Sequence, residues 1–154
     1  MPNSYSQVFV HLVFAVKYRQ RLLHKKREDL YRYITGVIQS PKNRHKLYAI
    51  GGTADHIHIL LSMHPTQSIA DLVKDIKVSS SIWLNQQNLF IGHFSWQDGY
   101  GAFSLGMSQL VAVTQYILNQ EEHHKRITFR EEYIAFLKKY DIPYDERYVF
   151  GDLV

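Results

Sequence analysis

The chain has 154 residues and no cysteine, with 18 Lys and Arg against 14 Asp and Glu for a formal charge of +4. A chain of this length can bury one substantial core, and the missing cysteines exclude disulfide staples, thiolate metal sites and cysteine nucleophiles. Any metal must then be held by His or by oxygen.

The charge is unevenly spread. Residues 1–46 hold ten basic and two acidic side chains, and residues 47–154 hold eight and twelve. Such an asymmetry suits a local anion-binding face, and equally a solvated basic helix. No apolar run approaches the ~20 residues needed to cross a bilayer, and the opening MPNSYSQ has no charged segment followed by an apolar stretch. A cytoplasmic protein is expected. No repeat, low-complexity tract or linker divides the chain, so a single domain over residues 1–154 is expected as well.

In chain order, residues 5–17 (YSQVFVHLVFAVK) are β-branched and aromatic with apolar side chains on both faces, as in a strand covered on both sides. From about His24 to Gln39, Leu30, Tyr31, Ile34, Val37 and Ile38 recur at helical spacing until Ser40-Pro41. Residues 46–51 and 56–64 predict two strands joined by Gly52-Thr53-Ala54-Asp55, hence an antiparallel pair. Ser68 can cap a helix running to about Asn85. The aromatic and Gly-rich stretch from Phe94 to Ser104 predicts a bulged or interrupted strand, and residues 107–124 and 129–140 predict two closing helices. The order β-α-β-β-α-β followed by two helices predicts an α+β, ferredoxin-like antiparallel sheet with helices on one face.

Within residues 56–64, Ile57, Ile59, Leu61 and Met63 share one face of the strand and His56, His58, Leu60, Ser62 and His64 the other. The first set predicts the core face. His56 and His58 then project side by side, about 7 Å apart along the strand, close enough to converge on one ion. Two imidazoles need a third protein ligand to fix an ion while leaving positions open for substrate oxygens.

Winding residues 107–124 at about 100° per residue puts Met107, Leu110, Val111, Val113, Thr114, Ile117 and Leu118 in one arc, predicted to be the buried face. Tyr116 falls outside that arc. It shares its side of the helix with Gln109, Ala112, Gln120 and His123, so a phenol and an amide stand one turn apart. A phenol, with a reference pKa of about 10, needs help to act as a nucleophile at neutral pH, and a metal-polarised phosphate lowers that demand. His123 and His124 follow closely enough to tune such a site. Lys17, Arg19, Arg21, Lys25, Lys26 and Arg27 form a basic run able to contact DNA phosphates. Trp96, Tyr100 and Phe103 could stack on unpaired bases, or fill a buried strand.

The residues His11 to Arg19, Asp55-His56-Ile57-His58, Trp96 to Ser104 and Tyr116 to His124, in this order, resemble the HUH-type single-tyrosine transposases of the insertion-sequence-200/605 (IS200-like) family and the related REP-associated tyrosine transposases. The resemblance implies a ferredoxin-like catalytic domain that binds hairpin-bearing single-stranded DNA and cleaves and rejoins it through a 5′-phosphotyrosine. It carries the nucleophile onto Tyr116 and the metal ligands onto His56, His58 and Gln120, with Mg²⁺ or Mn²⁺ as the ion. It also implies a homodimer in which the tyrosine helix of one subunit completes the site of the other. No nucleotide cofactor and no membrane partner are expected. The alternatives are a domesticated REP-associated endonuclease with the same chemistry, and a non-catalytic single-strand-binding module that would not need Tyr116 or Gln120.

Overall fold

The computed structural model describes residues 4–145, 147 and 149. The ends of the expected 1–154 domain, residues 1–3, 146, 148 and 150–154, lie outside the described residues. Strand β1 spans Phe9–Ala15, helix α1 Arg27–Ile38, strand β2 Lys46–Gly52, strand β3 His56–Ser62, helix α2 Ile69–Gln86, strand β4 Gly101–Leu105, helix α3 Leu110–Leu118, the single turn α4 Gln120–His123, and helix α5 Phe129–Lys139. The four strands form one antiparallel sheet in the order β2-β3-β1-β4. That is the expected ferredoxin-like arrangement.

Two faces result from the strand pleat. On one, Val10, Leu12 and Phe14 of β1 and Ile57, Ile59 and Leu61 of β3 pack against Leu30, Ile34 and Ile38 of α1 and Leu72, Val73 and Ile76 of α2. The alternation read for residues 56–64 is therefore the one observed. The Ser68 hydroxyl accepts from the Asp71 amide at 3.0 Å, capping α2 as expected. On the other face lie His11, Val13 and Ala15 of β1 and His56 and His58 of β3, covered by α3, α4 and α5. Helices thus lie on both faces of the sheet, with α1 and α2 on one and the C-terminal helices on the other.

Three boundaries differ from expectation. β1 is shorter than residues 5–17: it begins at Phe9, and beyond its C-terminal end Tyr18 (φ 56°) and Arg19 (φ 51°) turn the chain through left-handed conformations. In the aromatic stretch only Gly101–Leu105 pairs as a strand, and Trp96 makes an isolated bridge to Val16. The expected continuous helix over residues 107–124 begins as a short 3-10 turn and breaks at Asn119 (φ −101°, ψ 20°). Its predicted buried arc is only partly buried: Ile117 is fully buried, Leu110, Val113 and Thr114 are half-buried, and Met107, Val111 and Leu118 are open to solvent in the single chain. Gly51 explains how closely α3 lies on β2, since a Cβ there would come within 2.4 Å of the Ile117 carbonyl oxygen.

Candidate active site

His56 and His58 reach the α3–α5 side of β3 with no exposed surface. Each has its Nδ1 held by a neighbour. The Nδ1 of His56 lies 2.7 Å from Asp55 Oδ1 and 3.0 Å from the Thr53 hydroxyl, which itself donates to Asp55 at 2.9 Å. The Nδ1 of His58 lies 2.8 Å from Nε2 of His11, brought alongside by β1. Both Nε2 atoms are thereby turned inward, the arrangement that metal-binding histidines adopt when second partners fix their rings. Burial lowers the pKa of His58 to about 4, against the opposing effect of Glu132, and burial and the neighbouring His58 lower that of His11 to about 3. Both rings are neutral near pH 7. Burial pushes the Asp55 carboxyl up, but the hydrogen bond and charge of His56, the Thr53 hydroxyl and the Arg19 charge together outweigh it and the net shift is downward.

Sequence reasoning missed Glu132, on which these groups converge. It is 2% exposed, and its Oε1 lies 3.0 Å from Nε2 of His58, 3.0 Å from Nε2 of His124 and 3.6 Å from Nε2 of His56. Its other oxygen accepts the Tyr116 hydroxyl and stands 3.3 Å from Nε2 of His123. Burial pushes the Glu132 carboxyl up, and its close contacts with His124, His58 and His56 together reverse this so strongly that it stays ionised. Burial and the Glu132 charge push the Tyr116 phenol well above its ordinary value. The signal in the sequence is faint: Glu132 follows Phe129 by three and precedes Phe136 by four, so a carboxylate sits on the apolar side of α5.

Gln120 is also buried, with its Oε1 3.1 Å from Nε2 of His56 and its amide nitrogen donating to the Tyr116 carbonyl at 3.4 Å. The expected quartet of His56, His58, Tyr116 and Gln120 is thus gathered in one place, within one chain, together with His124 and Glu132. One ligand atom from each of His56, His58, His124 and Glu132 lies within 4.8 Å of the others. The buried Nε2 of His124, although close to Glu132, makes no aligned hydrogen bond. An orphaned imidazole nitrogen beside an ionised buried carboxylate and two oriented imidazoles is a donor set that fits a divalent cation.

A cleft of about 770 Å³ opens beside His124 and Asp55, and Arg19, Arg21, Arg27, Lys125 and Arg126 line it. Three of the six basic residues singled out in the sequence therefore reach it. Among the others, Lys25 donates to the Leu89 carbonyl at 2.9 Å, Lys26 pairs with Asp29 at 3.4 Å, and Lys17 lies over the Tyr18 ring at 5.5 Å. Of the aromatic residues considered for stacking, Trp96 and Phe103 are core side chains, Trp96 donating to Ser80 at 2.9 Å, and Tyr100 is half-buried.

Residues 4–120 match the family described as "Transposase IS200 like". The chain belongs to the IS200-like transposase family. It is 27% identical over 122 residues to the ISDra2 transposase TnpA of Deinococcus radiodurans, a match covering 75% of this chain and 86% of the relative. A crystal structure of a Deinococcus radiodurans transposase superposes with a TM-score of 0.56 at 25% identity, covering 77% of this chain and 94% of that one. A REP-associated tyrosine transposase, solved bound to a REP hairpin, superposes with a TM-score of 0.61 over 99% of this chain and 91% of its own, at 14% identity. Membership makes this IS200-like transposase a DNA-processing enzyme. Among the described residues no helix is long and apolar enough to cross a membrane.

Proposed function

We propose that the chain cleaves and rejoins single-stranded DNA by transesterification at Tyr116, using Mg²⁺ or Mn²⁺ held by His56, His58 and Gln120 together with Glu132 and His124. The observation that carries this is the hydrogen bond from the Tyr116 hydroxyl to Glu132, the same carboxylate that faces three of the imidazoles. When bound there, a divalent ion would polarise the scissile phosphate and offset the Glu132 charge that otherwise opposes ionisation of Tyr116.

In the cleavage step the Tyr116 oxygen forms a bond to phosphorus and the bond to the 3′-oxygen of the preceding nucleotide breaks. Glu132 orients the phenol through its hydrogen bond, the phenolic proton passes to water, and the released 3′-oxygen takes a proton from water. The 5′-phosphotyrosine keeps a phosphodiester bond, so a 3′-hydroxyl attacking in reverse rejoins strands without ATP. His11 and Asp55 keep the imidazoles of His58 and His56 aimed inward, and Arg19, Arg21 and Arg27 offer charge to the DNA backbone along the adjoining cleft. Hairpin recognition is proposed from the REP hairpin bound by the REP-associated relative.

A homodimer is proposed on the exposed Met107, Val111 and Leu118 of α3, and an exchange of that helix between copies would recreate the same contacts in trans. Mixing Tyr116→Phe with His58→Ala subunits tests the exchange: recovered activity requires it, and no recovery assigns each site to one chain. The reaction is tested by incubating the protein with labelled single-stranded hairpin DNA and Mn²⁺ and looking for a denaturation-resistant protein–DNA adduct. Tyr116→Phe lowers its yield by at least about 10³-fold. An adduct that persists in that variant overturns the assignment.

A further inference from the structure

A second cavity, of about 420 Å³, lies between α3 and α5 over the end of β4. Leu105, Val113, Phe136 and Tyr140 supply apolar walls, and Tyr116 and Glu132 line it as well. Its volume falls within the range of about 300–1,000 Å³ typical of small-molecule sites, and its mix of aromatic walls and a few polar groups is the usual composition of one. We infer that this pocket is the subsite for the nucleobase on the 3′ side of the cut, the base of the nucleotide whose 5′-phosphate becomes joined to Tyr116. The inference rests on the phosphotyrosine chemistry proposed above and identifies where that substrate is gripped.

Continuity with the reacting groups is the first argument. Tyr116 and Glu132 together line this pocket and neither lines the basic cleft; Tyr116 also borders a smaller opening beside Asn119 and Arg126, which Glu132 does not reach, so the nucleophile and its carboxylate partner meet at the apolar cavity. The direction of attack is the second. In an in-line displacement the leaving 3′-oxygen departs on the side opposite the incoming phenol, which sends the preceding strand away from Tyr116. The nucleoside that keeps the phosphate stays beside Tyr116, where this pocket is. The third is the state of the aromatic walls. Phe136 is stacked on Phe103 at 4.9 Å with 17° between planes and meets the His11 ring edge-on at 5.1 Å, and Tyr140 is stacked on Phe103 at 5.0 Å. Phe136 and Tyr140 are only half-buried despite being so firmly seated. Rigid, partly open rings of this kind suit base stacking, which is tolerant of sequence because every base has a π-face. The exposed Gln109 and Lys139 also line the cavity and offer polar groups to a base edge.

Deoxynucleoside 5′-monophosphates reproduce the inferred half of the substrate, a phosphate for the cluster and a base for the pocket. With Mn²⁺ present, titration calorimetry on the full chain is expected to show them binding on the order of tenfold more tightly than 2-deoxyribose 5-phosphate, the low end for one stacked base, and more tightly than the 3′-monophosphates. Ala135→Phe, which fills the pocket from α5, should remove that excess and leave 2-deoxyribose 5-phosphate binding unchanged. Ala112→Leu narrows it from α3 and serves the same purpose if the first variant does not fold. Equal affinity for nucleotide and sugar phosphate, or an excess that survives both substitutions, overturns the pocket assignment while leaving the phosphate site standing. Equal affinity for the 5′ and 3′ isomers overturns the choice of side. Failure of every phosphate compound to bind overturns the proposed phosphate site and the pocket with it.

Discussion

The two faces of the sheet are made by the same strands and do opposite work. Beneath α1 and α2, alternate residues of β1 and β3 are aliphatic or aromatic, and the layer gains stability by removing apolar surface from water. Beneath α3, α4 and α5, the intervening residues include His11, His56 and His58, sealed in with Glu132 and Gln120. Burying a carboxylate among imidazoles costs free energy that an apolar layer would not. The difference teaches that the second face is arranged for chemistry: its polar groups are turned toward one another, and the buried Nε2 of His124, close to Glu132 without an aligned hydrogen bond, belongs to a donor set that fits a divalent cation.

The largest way to separate the faces is His58→Ala. Cleavage should fall by at least about 10³-fold and bound Mn²⁺, followed by its paramagnetic resonance signal, should drop, while hairpin DNA binding is largely kept. Equal loss of DNA binding would make His58 a structural or DNA-contacting residue. Ile59→Ala, one position away on the opposite face and fully buried, should instead destabilise the fold by about 2–5 kcal/mol in denaturant unfolding. Metal affinity per folded molecule should be unchanged, and a matching loss of Mn²⁺ binding would break the division of labour.

Acidification acts on the polar face next. His58 is held neutral in the fold, with its pKa lowered to about 4 from 6.5, whereas the unfolded chain takes up that proton as pH falls below 6.5. Stability from this group is therefore complete above pH 6.5 and is lost between 6.5 and about 4, on the order of 3 kcal/mol. His11 shifts in the same direction, and the depressed Glu132 adds a loss at still lower pH. Melting curves between pH 7 and 4 check this, and a midpoint that does not fall would contradict the neutral imidazoles. The smallest effect is expected at the cleft: Arg21→Ala should weaken single-stranded DNA binding similarly for all sequences and reduce the salt slope by about 1. An unchanged slope would remove Arg21 from the DNA path.

Much of this was legible along the chain because it is periodic or local. The period of two in residues 56–64 separated Ile57, Ile59 and Leu61 from His56 and His58, and Ser68 marked the start of α2. Tyr116 and Gln120 were visible as a pair one turn apart. The six-residue basic run was less legible, since only the fold shows which arginines turn into the cleft and which lysines are held by other partners. The arc containing Met107, Val111 and Leu118 misled, because an apolar stripe reports what prefers burial and not what is available to bury it.

By itself the sequence determined the strand and helix order, the face on which the two histidines stand, and the absence of thiolate chemistry, because each depends on residue type and short-range spacing. Only the tertiary structure decided that Glu132, 74 residues beyond His58, is the group that ties the imidazoles to Tyr116. A glutamate in the first turn of a helix is ordinarily a solvated, dipole-stabilising side chain. Docking α5 by Phe129 and Tyr133 against the sheet is what carries this one into the interior, and no local pattern encodes that placement.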